Sequence, residues 1–212
     1  MFPTTQSNIK DLSSALAQSK VHQTGNSSAG KAFLKFGFED GSYTFGRDQV
    51  EVTGEQVVIN VATFCHGWTL WVNGSAQKVM RSFFENLPDP MPSVDGNQPS
   101  ESRAFEARFL DEDDDTVLVF ETNSFGGRKG ADNILKEVSI RSASGESEYL
   151  YPIVKLSSES YKSKQGRTIH NPVFGVVGWM NQAGEIQGGV LKVEEQKELP
   201  LEETPVRRRR AV

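Results

Sequence analysis

Apolar and polar residues alternate with a period of two along most of the chain from Lys31 onward, a pattern typical of β-strands. Dipeptides that favour hairpin turns separate several of these stretches, namely Asp40-Gly41, Thr53-Gly54 and Asn73-Gly74. The segments predicted as strands are 31–38, 50–53, 56–61, 68–72, 104–110, 116–122, 149–156 and 172–180, with 79–84 as a strand or a short helix. We expect Thr53-Gly54 to join the two β-branched runs beside it into a hairpin.

A helix is predicted over about 130–140, where Ile134, Leu135 and Val138 recur at helical spacing after a glycine-rich turn. Residues 87–102 hold four of the nine prolines and are expected to form a long exposed loop. Many short strands with one principal helix predict a mainly β fold, because a parallel sheet would need alternating helices. We expect an elaborated antiparallel barrel of the oligonucleotide-binding (OB) type, with a β-sandwich as the alternative.

The composition divides the chain into three parts. Residues 1–30 are rich in Ser, Gln, Thr and Asn and are expected to form a flexible N-terminal arm. Residues 31–183 carry the strand pattern and form the predicted barrel domain. Residues 184–212 lose their aromatic residues and gain charge, which predicts a disordered tail. That tail is first acidic and then ends in the basic run Arg207, Arg208, Arg209 and Arg210, which is expected to bind a partner.

The 212 residues contain no apolar run long enough to span a membrane. The first 20 residues have neither a basic start nor an apolar stretch, so we do not expect export. A single cysteine, Cys65, excludes an intramolecular disulfide and favours a reducing compartment, so we expect a cytoplasmic protein without a membrane partner. The net charge of −5 argues weakly against nucleic acid. The charge is uneven, however, since residues 151–170 carry four Lys and Arg against Glu159 alone. One positive face therefore remains compatible with the sequence.

No set of residues supplies a nucleophile, a base and an orienting group at plausible spacing, so we do not expect an enzyme. Cys65 and His66 are adjacent and would point to opposite faces of a strand, which disfavours a shared metal ion. The DEDDD run at 111–115 lacks the alternating ligands of a calcium loop and is interpreted as a solvated hairpin tip. We therefore expect neither a metal nor another cofactor.

The FGGRKG segment at 125–130 lies between a predicted strand and the predicted helix. Its glycines let backbone N–H groups approach an anion, the helix N-terminus adds partial positive charge, and Arg128 and Lys129 add full charges. The segment lacks the pattern of a nucleotide-hydrolysing P-loop. Two interpretations stay open: a turn that binds backbone phosphates, and an ordinary strand-to-helix turn with solvated basic residues.

Aromatic rings and cations are mixed in two further regions. Trp68 and Trp71 would point to opposite faces of one strand, so we expect one in the core and one exposed. The second region contains Tyr151, Lys155, Tyr161, Lys162, Lys164 and Arg167. Single-stranded nucleic acids bind to such mixtures, because bases stack on the rings while a positive groove follows the backbone. The alternative interpretation is half-buried barrel tyrosines beside a solvated loop.

Four blocks of the sequence resemble a family of tailed-bacteriophage proteins: LKFGFEDGSYTFGRDQVEVTGEQVVIN, FCHGWTLWVNG, VFETNSFGGRKGADNIL and YPIVKLSSESYKSKQGRTIHNPVFGVVGWM. That family is marked by an HGW…WxNG block, a glycine turn before a helix and a closing PxFxVVGW, and many members end in a short arginine run. The match covers about residues 33–181. Tyr43, where Trp is common, and Asn123-Ser124-Phe125, in place of two serines, depart from the pattern.

The resemblance implies a phage early or replication-associated protein, and the nearest functional analogy is to phage single-stranded DNA-binding proteins with OB barrels. We therefore expect sequence-non-specific binding of single-stranded DNA in replication or recombination, in the host cytoplasm. The tail would contact phage replication proteins, although its final arginines depart from the acidic ends of those proteins. Assembly into a homo-oligomer is compatible with this role. The alternative is a phage structural or host-interaction protein with no nucleic-acid role.

Overall fold

The computed structural model describes residues 31–110 and 116–188. The predicted arm at 1–30, the acidic run at 111–115 and the final residues from 189, including Arg207 to Arg210, lie outside the described residues. The elements in chain order are β1 (Lys31–Phe36), β2 (Tyr43–Phe45), β3 (Val50–Glu51), β4 (Gln56–Val72), β5 (Ser75–Ser82), β6 (Ser100–Phe109), β7 (Val117–Thr122), α1 (Phe125–Ala143), β8 (Tyr151–Lys162), β9 (Thr168–Met180) and β10 (Ile186–Gln187).

The ten strands form one sheet in the order β10-β9-β8-β4-β6-β7-β1-β2-β3, and β5 pairs with β4 outside this path. A mainly β fold with one principal helix is therefore confirmed for the described residues. Two details of the predicted barrel are corrected: the ladder does not close on itself, and β1 runs parallel to β7. The long connection through β2 to β6 allows this parallel pairing, which a short hairpin could not make.

Two of the three predicted turn dipeptides join the expected strands, and the third does not. Asn73-Gly74 joins β4 to β5 with positive φ at both residues (50° and 78°), the geometry that favours this dipeptide in two-residue hairpins. Gly41, with φ of 75°, closes the predicted turn between β1 and β2. The hairpin predicted at Thr53-Gly54 is wrong, because β3 pairs with β2 instead of β4. Gly54 N donates to Leu156 O (2.8 Å), which ties this segment to β8.

The 17-residue strand β4 supports both halves of the sheet. Its first part pairs with β6 and β8, and its second part pairs with β6 and β5. The register against β6 shifts between Asn60 and Cys65. Asn60 stabilises this bulge, since its Oδ1 accepts from Ala62 N (3.1 Å) and its carbonyl accepts from Thr63 Oγ1 (2.7 Å). The bulge lets β4 continue as one strand although its neighbour on one side changes from β8 to β5.

The core lies between the sheet and helix α1 and is rich in aromatic rings. Phe105 contacts Phe64, Phe120 and Phe174, with ring centroids 4.9 to 5.4 Å apart. Tyr43 is fully buried, and its hydroxyl donates to Ser157 O at 3.0 Å. Helix α1 covers this core mainly against β9 and buries Gly127, Gly130, Ala131, Ile134, Leu135 and Val138. The predicted apolar stripe of the helix is thus confirmed.

The start of the helix and the position of the last strand differ from the expected boundaries. Helix α1 begins at Phe125 rather than near residue 130, so the FGGRKG segment is its first turn instead of a loop. Strand β10 lies beyond the domain boundary expected at 183 and pairs with the end of β9. The side chain of Arg141, in the last helical turn, lies over the Trp179 ring (4.6 Å) and contacts Gln187. These contacts hold β10 on the sheet.

Candidate functional site

Aromatic side chains surround a groove of about 670 Å³ at the end of the sheet where α1 begins. The rings that line it are Phe36, Phe38, Phe120, Phe125 and Tyr161. Phe120 is buried and belongs to the core, whereas Phe38, Phe125 and Tyr161 are 58%, 77% and 50% exposed. These three exposed rings come from the β1–β2 turn, the first residue of α1 and the end of β8. Flat apolar surfaces from three segments are thus open to solvent around one cavity.

The start of α1 is fixed beside the groove by an N-cap. Ser124 Oγ accepts from Gly127 N at 3.0 Å, and Thr122 Oγ1 accepts from Ser124 N at 3.2 Å. A Cβ at position 127 would overlap the hydroxyl groups of Thr122 and Ser124, so a glycine at this position permits the cap. Ser is among the preferred N-cap residues because its oxygen satisfies a free N–H of the first turn. The cap therefore holds Phe125 and Gly126 at the groove rim.

Polar groups line the same cavity between the rings. Glu121 forms an ion pair with Lys78 of β5 at 2.7 Å, so its charge is compensated. His170 N donates to Phe38 O at 2.8 Å, which fastens the β1–β2 turn to β9. The Nδ1 atom of His170 is buried without a partner in the described residues. Asn123 and Asn171 also line the groove. The cavity thus combines apolar walls with a few groups able to form hydrogen bonds.

The β8–β9 hairpin carries exposed cations next to Tyr161. Lys162 Nζ donates to Thr168 Oγ1 at 2.7 Å across the hairpin. Ser163 shapes the tip, because its carbonyl accepts from Gly166 N and its hydroxyl from Arg167 N. Lys164 and Arg167 are exposed on this tip. The structure therefore brings four of the predicted binding residues (Tyr161, Lys162, Lys164 and Arg167) together on one hairpin at the groove.

Arg128, also predicted to bind phosphate, is engaged inside the protein. Its Nη1 lies 2.5 Å from Glu101 Oε2, and the other carboxylate oxygen contacts Arg103 at 2.9 Å. Arg103 Nε in turn donates to Asp132 Oδ1 at 2.7 Å. Two cations and two carboxylates thus form a neutral network that joins the first turns of α1 to β6. Lys129, the neighbour of Arg128, is exposed and has no ion pair in this part of the chain.

The remaining predicted site residues lie away from the groove or inside the core. Tyr151 is only 2% exposed and packs in the core, so its ring cannot stack on a base. Trp68 is half-buried and donates from Nε1 to Pro88 O at 2.7 Å, while Trp71 is 55% exposed near the β4–β5 turn. Neither indole lines the groove. Lys155 is exposed on β8, seven residues before Lys162.

Phe38 and Phe125 are the functional candidates that sequence reasoning did not identify. The sequence pattern placed Phe38 at the end of a strand and Phe125 in a glycine turn. At such positions the alternation of apolar and polar residues does not indicate whether a phenylalanine is exposed. The neighbouring residues carry a usable signal: Phe38 lies two residues before the turn dipeptide Asp40-Gly41, and Phe125 directly follows the helix-capping Ser124. Connecting segments usually run over the protein surface, so a side chain there is more often exposed than one within a strand.

Burial perturbs two titratable groups on β4. The pKa of Cys65 is raised, mainly by burial and also by Glu106 and Glu85, which disfavours a reactive thiolate. Burial and then the charge of Arg103 lower the pKa of His66 below 6.5. His66 is 8% exposed, and its ring lies 5.1 Å from that of Phe83. The folded state therefore disfavours the protonated form of His66 relative to the unfolded chain.

We predict that the folded protein loses stability as the pH falls from about 7.5 to about 5.5. The unfolded chain protonates His66 near pH 6.5, whereas the folded chain resists protonation until lower pH, so acid favours unfolding. Urea unfolding at both pH values measures the effect. The variant H66Q, which cannot titrate, is expected to lose less stability over the same interval. An equal loss in both proteins would contradict the prediction.

Comparison with known proteins yields no match: no family model matches the sequence, no curated protein is significantly similar, and no solved structure is significantly similar to the fold. The described residues contain no group of three or more His, Cys, Asp or Glu arranged to hold a metal ion. No helix among them is both long and apolar enough to cross a membrane. The site is therefore interpreted from its own geometry.

Proposed function

We propose that the protein binds single-stranded DNA in the groove beside the start of α1, and that it does so as a replication or recombination protein in the cytoplasm of a phage-infected cell. The observation that carries this proposal is the set of exposed rings Phe38, Phe125 and Tyr161 around one cavity. A group of exposed apolar rings around one cavity is typical of a ligand-binding groove, whereas single exposed rings are common on protein surfaces. Bases are ligands with matching flat surfaces.

The charges near the groove agree with a phosphate backbone as the second part of the ligand. Lys162, Lys164 and Arg167 extend from the same hairpin as Tyr161. Glu121, the acidic side chain in the groove lining, is compensated by Lys78. A backbone that follows the hairpin would therefore meet net positive charge although the whole chain carries −5. Stacking on rings with cations along the strand is how sequence-tolerant single-strand binders hold DNA.

The charge contribution is tested with the variant K162A/K164A/R167A. We expect weaker binding of fluorescein-labelled oligo(dT) and a salt dependence whose slope, log K against log salt, is smaller by about 2, because three phosphate contacts are lost. Fluorescence anisotropy titrations between about 50 mM and about 200 mM salt measure both quantities.

The matched control is R47A/R81A/K136A, which removes the same charge from exposed positions outside the groove lining. If the control loses as much affinity and slope as the hairpin variant, the hairpin is not the phosphate contact. If the unaltered protein fails to bind oligo(dT) at about 50 mM salt, the proposal itself is wrong. The structural or host-interaction role would then be the remaining expectation.

A further inference from the structure

We propose that the C-terminal segment 193–199 of this chain adds a strand to the open edge of β5. The contact goes beyond DNA binding and does not depend on it. Strand β5 (Ser75–Ser82) pairs with β4 on one side, and the described residues place no strand on its other side. An open strand edge offers unpaired backbone N–H and C=O groups to another extended segment.

The hairpin turn determines which backbone groups of β5 are unpaired. Because Asn73-Gly74 is a two-residue turn, the residues that flank it form a hydrogen-bonded pair. Hydrogen-bonded and non-bonded pairs then alternate along the antiparallel ladder. Phe83 N donates to Phe64 O at 2.8 Å, in agreement with this alternation. The residues whose N–H and C=O groups point away from β4 are therefore Ala76, Lys78 and Met80.

The charge of this edge favours an acidic strand. Strand β5 carries two cations and no acidic residue. Lys78 contacts Glu121, whereas Arg81 is exposed and has no ion pair within the described part of the chain. Segment 193–199, VEEQKEL, lies outside the described residues and carries three glutamates against one lysine. It contains no proline, which would remove a donor from an added strand. Opposite charges on neighbouring strands stabilise their pairing.

The end of the described chain lies within reach of this edge. Strands β8 and β5 follow one another on the same side of β4, opposite β6. Strand β10 is joined to β8 through β9, and Ile186 lies level with Tyr151. Strand spacing and rise place Ile186 about 20 Å from Ser82, the near end of β5. Extended residues between 187 and 193 span about the same distance. Because the segment belongs to the same chain, its effective concentration at the edge is on the order of millimolar.

Hydrogen exchange of the backbone amides, followed residue by residue by NMR in the full chain, tests the proposal. In the unaltered protein the outward amides of Ala76, Lys78 and Met80 are expected to exchange at least about tenfold more slowly than in E194K/E195K, which reverses the charge of the segment. Adding R81E to that variant restores opposite charges and is expected to restore slow exchange.

Two controls accompany this measurement. The amides that bond to β4, those of Gln77, Val79 and Arg81, are the internal reference and are expected to exchange equally slowly in the unaltered protein and in E194K/E195K. The variant E202K/E203K makes the same charge change in the same tail, beyond the proposed strand. We expect it to keep the outward amides protected.

Three results would overturn the proposal. Rapid exchange of the outward amides in the unaltered protein would show that the edge stays open. Slow exchange that persists in E194K/E195K would assign the edge to another segment. Slow exchange that is lost on dilution of the unaltered protein would assign it to a second copy. None of these measurements contains DNA, so the proposed function succeeds or fails separately.

Discussion

Replacing Phe38, Phe125 and Tyr161 together by alanine is expected to weaken oligo(dT) binding by at least about 100-fold. Each base stacked on an aromatic ring contributes roughly 1–3 kcal/mol, so three rings lost together remove about 3 kcal/mol at the lower limit. The three side chains are at least half exposed, which means that their removal leaves the core packing unchanged. Anisotropy titration of labelled oligo(dT) at about 50 mM salt measures the loss, and a thermal melt checks the fold.

The control for this experiment is F33A/W71A. Phe33 and Trp71 are 57% and 55% exposed, similar to the groove rings, but neither lines the groove. We expect this variant to bind oligo(dT) as the unaltered protein does. The comparison also tests the role predicted for Trp71 from the sequence. If F33A/W71A loses more affinity than the triple variant, DNA contacts the surface around Phe33 or Trp71 instead of the groove.

Gly67→Ala on β4 is expected to be strongly destabilising. A Cβ at position 67 would overlap the backbone carbonyl of Val79 on β5, which cannot move without breaking the ladder between the two strands. Strain of this kind costs at least about 2 kcal/mol, because neither a flexible side chain nor a cavity can absorb it. Urea unfolding followed by tryptophan fluorescence measures the change, since Trp68 and Trp71 lie on the affected strand.

Gly175→Ala on β9 is the matched control for this substitution. A Cβ there meets nothing within 4 Å, and the residue does not have the positive φ that favours glycine. We expect its free energy of unfolding to change by less than about 0.5 kcal/mol. A free energy of unfolding that is the same for G67A and G175A would show that β5 can shift away from β4 at little cost.

The strand pattern of the sequence predicted the element types well and the pairing of strands less well. Period-two alternation reports which residues share a face, and it located β4, β6, β7, β8 and β9 in part or whole. Pairing depends on contacts between residues far apart in sequence, which alternation does not encode. The parallel contact of β1 with β7 and the assignment of β3 to β2 rather than β4 are both of this kind.

Only those residues of the candidate site that are neighbours in sequence could be grouped from the sequence alone. The structure places Tyr161, Lys162, Lys164 and Arg167 on one hairpin, as their closeness in sequence allows. Local reasoning could not detect that Glu101, on a distant strand, neutralises Arg128. It also could not distinguish the buried ring of Tyr151 from the exposed ring of Tyr161, since both lie on β8.

The free edge of strand β5 has one further consequence, which concerns contacts between copies of the protein. It pairs with β4 on one side, and within the described residues no strand covers its other side. Lys78 and Arg81 lie on this strand, and charged side chains at an open sheet edge discourage another chain from adding to it. These charges therefore disfavour the pairing of two copies through the β5 edge.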